Sequence, residues 1–412
     1  RMISFIIPSS DNLPYLQNAY RSIKKYAPDG CEIVMLDDFS SDGTFEWGCD
    51  LTNSNHDDYD ENVKFYRQAK VKVGHTVLYN VGAELATKEI ISILHADMFI
   101  GPHYVESLLN HIHPGVVVSA TRIEPPLHPS GKEKIVKNFG MYPEDFMEQE
   151  FYDFVKEQMV DSISAMKTTR GIFAPWAIYK EDYLSIGGHD ELFAPYPYED
   201  SDIFQRFILA GYKLIQSWDA MVYHFTCRGH KWTDDTKLGE VHDKFNEFEL
   251  NARRNFLRKW HSWIRNDEYH HPILTPVYRI GYIVTDFGPD EDWRKMLYDL
   301  EPLADAIYCK WDSDQVEGYK GREQSTTSYD LSKRVFWARH KMPELDVMVY
   351  VDGRTFTPRD YQYLTALPLI LEEMNNELSN EFAMEGQYEI GNITVKINRL
   401  HDYSKEIDWY TI

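Results

Sequence analysis

The first two-thirds of the chain alternates short apolar runs with segments in which apolar residues recur at helical spacing. Between Asn12 and Ala27, Leu16, Ala19 and Ile23 would share one face of a helix. The same reading predicts a second helix at Thr76–Ala86 and strands at Met2–Pro8, Cys31–Leu36, Val63–Tyr66 and Ile90–Leu94. Strand–helix alternation of this kind predicts an α/β fold with a mostly parallel sheet that is covered on both faces.

The pattern becomes looser after residue 115. It predicts two more strands and three helices, at Val116–Thr121, Gly171–Tyr179, Glu144–Val160, Ser201–Ala210 and Val241–Trp263. The segment His271–Pro276 has a proline near each end and is the predicted linker, since proline resists both helix and sheet. Residues 1–264 are therefore expected to form the first domain.

A second α/β pattern follows the linker. Its predicted strands are Arg279–Val284, Ala306–Lys310 and Val347–Val351, its predicted helices are Asp290–Leu303, Tyr329–His340 and Pro358–Asn376, and Tyr388–Ile397 reads as a hairpin. Residues 272–412 are therefore expected to form a smaller α/β accessory domain.

Composition narrows the classes of function. A formal net charge of −23 over 412 residues argues against a protein that binds nucleic acid through its phosphates. No apolar run approaches the ~18 residues that a transmembrane helix needs. The cysteines form no C-x-x-C pair, which suits neither zinc nor a disulfide scaffold; they are Cys31, Cys49, Cys227 and Cys309. We expect a soluble, cytoplasmic protein without a nucleic-acid partner or a transmembrane segment.

Polar residues stand where the predicted strands of the first domain end. Pro8-Ser-Ser-Asp11 follows the first strand, Asp37-Asp38 the second, and His95-Ala-Asp97 the run Ile90–Leu94. Open α/β sheets bind ligands at the carboxyl ends of their strands. A carboxylate next to an imidazole there can hold a divalent cation together with a phosphorylated substrate. The sequence therefore predicts a site at this edge.

Each of these residues also has a simpler interpretation. Asp11, Asp38 and Asp97 could be helix caps or turn formers, and the pair Glu199-Asp200 could be first-turn acids. His95, or His224 at the end of another apolar strand, could be a core histidine. Their joint occurrence at one sheet edge favours a functional site.

Residues 2–264 resemble a family 2 glycosyltransferase of the GT-A fold. The resemblance rests on the segments Ile3-Ser-Phe-Ile-Ile-Pro8, Glu32-Ile-Val-Met-Leu-Asp-Asp-Phe-Ser-Ser-Asp-Gly-Thr44, Asn80-Val-Gly82, Ile93-Leu-His-Ala-Asp97, Gly187-Gly-His-Asp-Glu191, Glu199-Asp-Ser-Asp202 with Arg206, and Tyr223-His224. It implies a nucleotide-sugar donor, with a UDP-sugar first among the candidates, and a glycan, glycolipid or glycoprotein acceptor.

The resemblance also implies roles for individual residues. Those expected at the donor are Pro8, Ser10, Asp38, His95, Ala96 and Asp97. Asp97 matches the last residue of the family's D-x-D motif and, with His224, would bind Mn²⁺ or Mg²⁺. Asp200 matches the catalytic base, and Glu199, Gly188 and Trp176 are expected on the acceptor side. A base opposite the leaving group implies inversion at the anomeric carbon.

The sequence departs from the family pattern at three points. His95 replaces the first carboxylate of D-x-D, Tyr79 stands where many members have arginine, and the processive Q-x-x-R-W motif is absent. The last absence favours single, non-processive sugar additions. The basic stretch Arg228–Trp232 is read equally well as a lid over the diphosphate or as a solvated loop.

Two other functions fit part of the pattern. A catalytically degenerate module that only binds sugar or nucleotide would explain His95. A sugar-1-phosphate nucleotidyltransferase would need a glycine-rich basic loop after the first strand, and Pro8-Ser-Ser-Asp-Asn12 is neither. The second domain has no recognisable motif. Acceptor recognition or self-association is expected of it, and Asp352, after an apolar strand, reads as a capping turn before it reads as a second active centre.

Overall fold

The computed structural model describes residues 1–163, 167–227, 244–286, 292–310, 313–337, 340–378, 385–407 and 409. The chain divides into two compact units. The first contains Arg1–Glu249 and Asn266–Pro272, and the second contains Leu250–Arg265 and Ile273–Ile412. Among the described residues, no helix has both the length and the apolar composition that crossing a bilayer requires.

A ten-stranded mixed sheet organises the first unit. Its strands are β1 (Ile3–Ser9), β2 (Glu32–Asp37), β3 (Val63–Arg67), β4 (Ile90–Ile93), β5 (Met98–Ile100), β6 (Val116–Glu124), β7 (Lys134–Val136), β8 (Thr168–Thr169), β9 (Trp176–Tyr179) and β10 (Lys213–His224). Eight of them follow the order β3-β2-β1-β4-β9-β6-β10-β5, while β7 pairs with β6 and β8 with β10. Only β5, β8 and β9 run antiparallel to their neighbours.

The helices described in the first unit are α1 (Leu13–Tyr26), α2 (Thr44–Thr52), α3 (His75–Leu85), α4 (Tyr104–Leu109), α5 (Glu148–Ile163), α6 (Lys180–Ser185), α7 (Glu199–Leu209) and the first turn of α8 (Phe245–Trp260). The first seven pack against strands of the sheet. In α1 the predicted face is buried, including Leu16 and Ile23. In α3, a Cβ on Gly82 would lie 2.4 Å from Ile6 on β1, so glycine allows the close approach of helix and sheet.

The strand directions bring several carboxyl ends to one edge of the sheet. β1 ends at Ser9, whose register partner on β2 is Asp37. β4 lies parallel to β1 and leads into His95. β6 and β10 are parallel to each other and end at Glu124 and His224. Since β9 runs antiparallel to both β4 and β6, all these ends point the same way.

The second unit is a smaller α/β structure. Its six strands, in the order β13-β12-β11-β14-β16-β15, are β11 (Ile280–Asp286), β12 (Ala306–Cys309), β13 (Val335–Trp337), β14 (Val347–Asp352), β15 (Gly386–Ile390) and β16 (Ile393–Ile397). Its helices are the rest of α8, α9 (Asp292–Leu300), α10 (Ser313–Glu323), α11 (Pro358–Thr365) and α12 (Leu367–Leu378). The topology confirms the predicted fold class: a mostly parallel α/β sheet followed by a smaller α/β domain.

Two predicted elements of the second unit are wrong in detail. The predicted helix Tyr329–His340 is a short 3₁₀ turn followed by β13, because Val335–Trp337 adds to the sheet beside β12; residues 338–339 lie outside the described part. The predicted helix Pro358–Asn376 is two helices, since Pro368 cannot continue the hydrogen bonds of α11.

The division into units differs from the predicted boundary at residue 264. Arg254 and Arg258 of α8 donate to the carboxylate of Glu301, and residues 250–265 therefore group with the second unit. The predicted lid at residues 228–232 and the predicted helix start at residues 241–243 lie outside the described residues.

Candidate active site

Three side chains at the carboxyl edge of the first sheet are of the types that bind metal ions. One donor atom each from His95, Asp97 and His224 lies within 4.8 Å of the other two. Asp97 and His224 are buried, and His95 is half-buried. Two imidazoles and one carboxylate suit Mn²⁺ better than Mg²⁺, which prefers oxygen. The residues present therefore fit a divalent cation, and a set of three leaves coordination positions for a ligand.

Glu124 orients one of these imidazoles. Its Oε1 lies 2.9 Å from Nδ1 of His224, while Nε2 of His224 is 3.5 Å from Asp97. Arg122 and Lys134 donate to the same carboxylate at 2.8 and 2.9 Å. Because Nδ1–H of His224 donates to Glu124, Nε2 is the nitrogen that faces Asp97. This is the carboxylate–histidine arrangement that fixes the ring of a metal ligand.

The surroundings shift the pKa values of His224 and His95 in opposite directions. Burial alone would lower the pKa of His224, but Asp97 and Glu124 raise it to about 9. Burial, together with the neighbouring His224, lowers the pKa of His95 to about 4. Against the cost of its own burial, Glu124 has a pKa well below the usual range because of His224 and Arg122. At neutral pH His95 is a neutral ligand, and a cation would take the place of the proton on His224.

Asp38 holds the turn that leads into α3. It is fully buried, and its two carboxylate oxygens accept the backbone N–H groups of Val73 and Gly74 at 2.8 and 2.9 Å. Gly74 has φ +87° and precedes His75, the first residue of α3. The alternative reading of Asp38 as a turn former thus has a concrete basis. The predicted contact of Asp38 with a nucleobase stays a prediction.

A lysine lies among the residues expected at the nucleoside. Lys72 donates to the side chains of Ser10 and Asp11, just after the buried Pro8. Burial alone would raise the pKa of Asp11, but Lys72 and Ser41 hold it below its ordinary value. Lys72 was missed from the sequence, because one basic residue in a polar stretch carries no pattern. The positively charged ammonium group of Lys72 therefore lies beside the end of β1.

Asp200 opens α7 and faces a buried histidine. About one-fifth of its side chain is exposed, and Oδ1 lies 3.9 Å from Nε2 of His189. Burial alone would raise the pKa of Asp200, but His189, followed by His95 and His75, lowers it below its ordinary value. A carboxylate that is ionised at neutral pH and reachable from outside can accept a proton from a hydroxyl.

Glu199, the neighbour of Asp200, is paired with His75. Its Oε1 lies 2.7 Å from Nε2 of His75, and the imidazole stacks on Tyr196 with a centroid separation of 4.8 Å. Burial lowers and Glu199 raises the pKa of His75, with a net increase. The pair joins the start of α3 to the start of α7, so His75 and Glu199 fix each other's position.

Gly188 and Trp176 make close packing contacts within the first unit. A Cβ on Gly188 would stand 2.4 Å from Oδ1 of Asn80, and the carbonyl of Gly188 accepts from Arg206 at 2.6 Å. Trp176 has 0% exposure and packs against Phe204 and Phe207. The indole is enclosed by these rings, and the expected contact of Trp176 with an acceptor stays a prediction.

Besides Lys72, three contributors to the site are not among the residues expected from the sequence. Glu124 lies beyond the predicted strand Val116–Thr121, although Arg122-Ile-Glu124 continues that apolar strand to a polar end, which is a usable signal. His75 and His189 give no such signal, since each is a single histidine. The partner of His75 is more than a hundred residues away, and the partner of His189 lies on α7, beyond the turn that holds His189.

Comparisons with known proteins show which proteins part of the first unit is similar to. Residues 4–167 match the profile of Glycosyl transferase family 2. No curated protein sequence matches the chain significantly. The crystal structure of GalNAc-T7 with UDP, GalNAc and Mn²⁺ is similar with 14% identity and a TM-score of 0.45, over 63% of this chain and 49% of that one. The chain therefore spans about half the length of that protein.

A second similar structure is TarS 1–349 of S. aureus in complex with UDP-GlcNAc. It shares 14% identity with a TM-score of 0.40, over 62% of this chain and 67% of that one. The family match confirms the resemblance derived from the sequence motifs.

Proposed function

We propose that the chain, whose residues 4–167 match the profile of Glycosyl transferase family 2, is a glycosyltransferase that transfers single sugars from a nucleotide-sugar donor with the help of a divalent cation. The observation that carries the proposal is the group His95, Asp97 and His224 at the carboxyl edge of the sheet, with donor atoms within 4.8 Å of one another. A cation bound there would neutralise the charge that develops on the leaving diphosphate.

The residues of the chain supply the other parts of the reaction. Asp97 and the two histidines would hold the cation, and Lys72 adds a positive charge where the donor is expected. Asp200 would accept the proton of the acceptor hydroxyl as the hydroxyl oxygen attacks the anomeric carbon. The bond from that carbon to the diphosphate breaks on the opposite side. Transfer is therefore proposed to invert the anomeric configuration.

The substrates are proposed from the same site. A carboxylate such as Asp38 can accept the imide N–H of uracil, so we propose a UDP-sugar as the donor, bound with Pro8 and Ser10 around the nucleoside. The acceptor is proposed to be a hydroxyl of a glycan, glycolipid or glycoprotein that enters beside Glu199 and Asp200. The second unit is proposed to serve acceptor recognition or self-association.

Nucleotide release from a panel of UDP-, GDP-, dTDP- and CMP-sugars tests the proposal. We expect release from one donor with Mn²⁺ and none with EDTA. In Asp97→Asn the rate should fall by about 10²-fold or more, because several kcal/mol of charge stabilisation is lost. The matched control is Asp58→Asn, which changes an exposed carboxylate and should behave as wild type.

Two outcomes would contradict the proposal. Release that is unaffected by EDTA and by Asp97→Asn would remove the cation from the reaction. Donor binding without release, even with a mixture of glycan acceptors, would instead support the degenerate binding module that His95 in the D-x-D position suggests.

A further inference from the structure

The side chain that faces Asp200 is enclosed on all sides. His189 follows the two glycines of Gly187-Gly188, and its side chain has 0% exposure. Its ring packs against Tyr79, Trp176 and Tyr183 with centroid separations of 4.7, 5.9 and 5.7 Å. A histidine in such a place has a fixed orientation, so its neighbours determine which ring nitrogen carries a proton.

The hydrogen-bond network fixes the proton on Nδ1 of His189. The Asn80 amide donates to the carbonyl of His189 at 2.8 Å and accepts its backbone N–H at 2.9 Å, which settles the amide orientation. Tyr183 must then donate its hydroxyl proton to Oδ1 of Asn80, at 2.7 Å. The Tyr183 oxygen accepts the backbone N–H of His189 at 3.2 Å, and its 2.8 Å contact with Nδ1 requires Nδ1 to donate as well.

This assignment decides the charge of the pair. With the Nδ1 proton in place, Nε2 carries a second proton only when the ring is an imidazolium. Nε2 of His189 and Oδ1 of Asp200 are both buried, and neither has a hydrogen-bond partner among the described residues. A neutral ring would turn a lone pair towards the carboxylate, which is unfavourable, whereas an imidazolium attracts it.

We propose that His189 is a positioning residue for Asp200: as an imidazolium it keeps the carboxylate ionised and turned towards the acceptor. The inference rests on the proposed function, because it assigns a partner to the base of that reaction. In the reaction Asp200 takes the proton of the acceptor O–H bond, the electron pair of that bond forms the new bond to the anomeric carbon, and the nucleoside diphosphate leaves with the electrons of the old bond. His189 keeps its own protons.

Other charged and titratable groups among the described residues also act on the pair. Tyr79 and His75 of α3, His95 after β4 and Arg122 of β6 interact electrostatically with Asp200, and the Tyr183 hydroxyl of α6 contacts His189. Glu199 is adjacent in α7 and is already paired with His75 at 2.7 Å. His189 is the first partner of Asp200, because it alone lies within ion-pair distance among the described residues.

Kinetics of His189→Gln and His189→Phe test the proposal. Phe retains the aromatic packing, and Gln retains polarity without charge. In both, kcat should fall by about 10-fold or more, a part of the ~10²- to 10⁴-fold that a general base supplies, with an unchanged KM for the donor. The acidic limb of the kcat profile should move to higher pH, because Asp200 is ionised less easily without the positive charge. The matched control is His111→Gln, a second histidine that faces a carboxylate, 3.4 Å from Asp219.

A second readout does not depend on turnover. In nitrogen NMR of the histidine rings of the full chain at neutral pH, Nε2 of His189 should carry a proton in wild type and lose it in Asp200→Asn, because the amide no longer stabilises the imidazolium. Tyr183→Phe should also disturb this signal, since it removes the acceptor of the Nδ1 proton. These variants cover the case in which the His189 variants do not fold.

The outcomes separate the two proposals. Wild-type turnover with an unshifted acidic limb in folded His189→Gln would overturn the role of His189 and leave the proposed function intact. Equal protonation of the His189 ring in wild type and Asp200→Asn would do the same. No turnover by wild type with any donor would count against the proposed function, and a protonation of His189 that still depends on Asp200 would then preserve the pairing alone.

Discussion

Glu124 shows how one residue outside the ligand set determines what the set can do. It fixes the ring of His224 from the Nδ1 side, so Nε2 faces Asp97. Partners of this kind raise the basicity of the ligand and hold its orientation, and their loss usually weakens metal binding by about 10- to 100-fold. The candidate metal centre therefore depends on the end of β6 as much as on its three ligands.

Glu124→Gln tests this dependence. We expect the Kd for Mn²⁺, measured by electron paramagnetic resonance titration, to rise by about 10- to 100-fold, because the amide is a weaker acceptor and carries no charge. Glu133→Gln is the matched control. Glu133, like Glu124, accepts a hydrogen bond from Arg122, at 3.1 Å, but it is not bonded to His224. Equal Mn²⁺ affinity in wild type and Glu124→Gln would show that this carboxylate does not support the ligand.

At the scale of elements, the turn between β3 and α3 connects several parts of the site. Asp38 at the end of β2 accepts its two N–H groups, and Gly74 lies against Pro195, which precedes α7. A Cβ on Gly74 would stand 2.3 Å from Pro195, and φ is +87°. Only glycine satisfies both the backbone conformation and this close approach.

Gly74→Ala should therefore destabilise the first unit and weaken nucleotide binding together. Strain and overpacking should cost about 1 to 3 kcal/mol in urea unfolding, and the Kd for the nucleotide should rise because the Asp38 contacts shift. Gly211→Ala provides the control, since its φ is +86° but a Cβ there meets nothing within 4 Å. A Gly74→Ala variant no less stable than Gly211→Ala would refute the packing argument.

The elements also show how far the sequence could be read. Strands such as Ile90–Ile93 and helices such as α1 follow directly from apolar periodicity, and the polar strand ends predict a site where the structure brings His95, Asp97 and His224 together. What could not be predicted depends on partners distant in sequence. The pairing of His75 with Glu199 and the enclosure of His189 both need the folded chain, because no local pattern encodes them.

At the scale of the whole molecule, the second unit has a charged centre of its own. Glu301 is buried and accepts from Arg254, Arg258 and Arg334. Burial alone would raise the pKa of Glu301, but the arginines lower it to about 2. Removing one member of such a buried group leaves charges without a counterion, which costs far more than the group adds to stability.

Glu301→Gln is expected to destabilise the second unit by about 3 to 5 kcal/mol. Because the folded pKa lies below the unfolded value of about 4.3, the stabilisation by Glu301 is present above that value and is lost as the pH falls towards about 2. Thermal unfolding against pH should therefore show an acid-dependent loss in wild type that Glu301→Gln lacks. The control, Glu317→Gln, removes an exposed ion pair with Lys320 and should change little. An unaltered acid profile in Glu301→Gln would contradict this assignment.

The proposed sugar transfer depends on a cation that joins the first unit to the donor. Calorimetric titration of the full chain with UDP, in Mn²⁺ and in EDTA, tests it most directly. The account predicts binding in Mn²⁺ that is lost in EDTA and in Asp97→Asn, because the diphosphate would be held through the cation at His95, Asp97 and His224. UDP binding of equal strength with and without Mn²⁺ would contradict it.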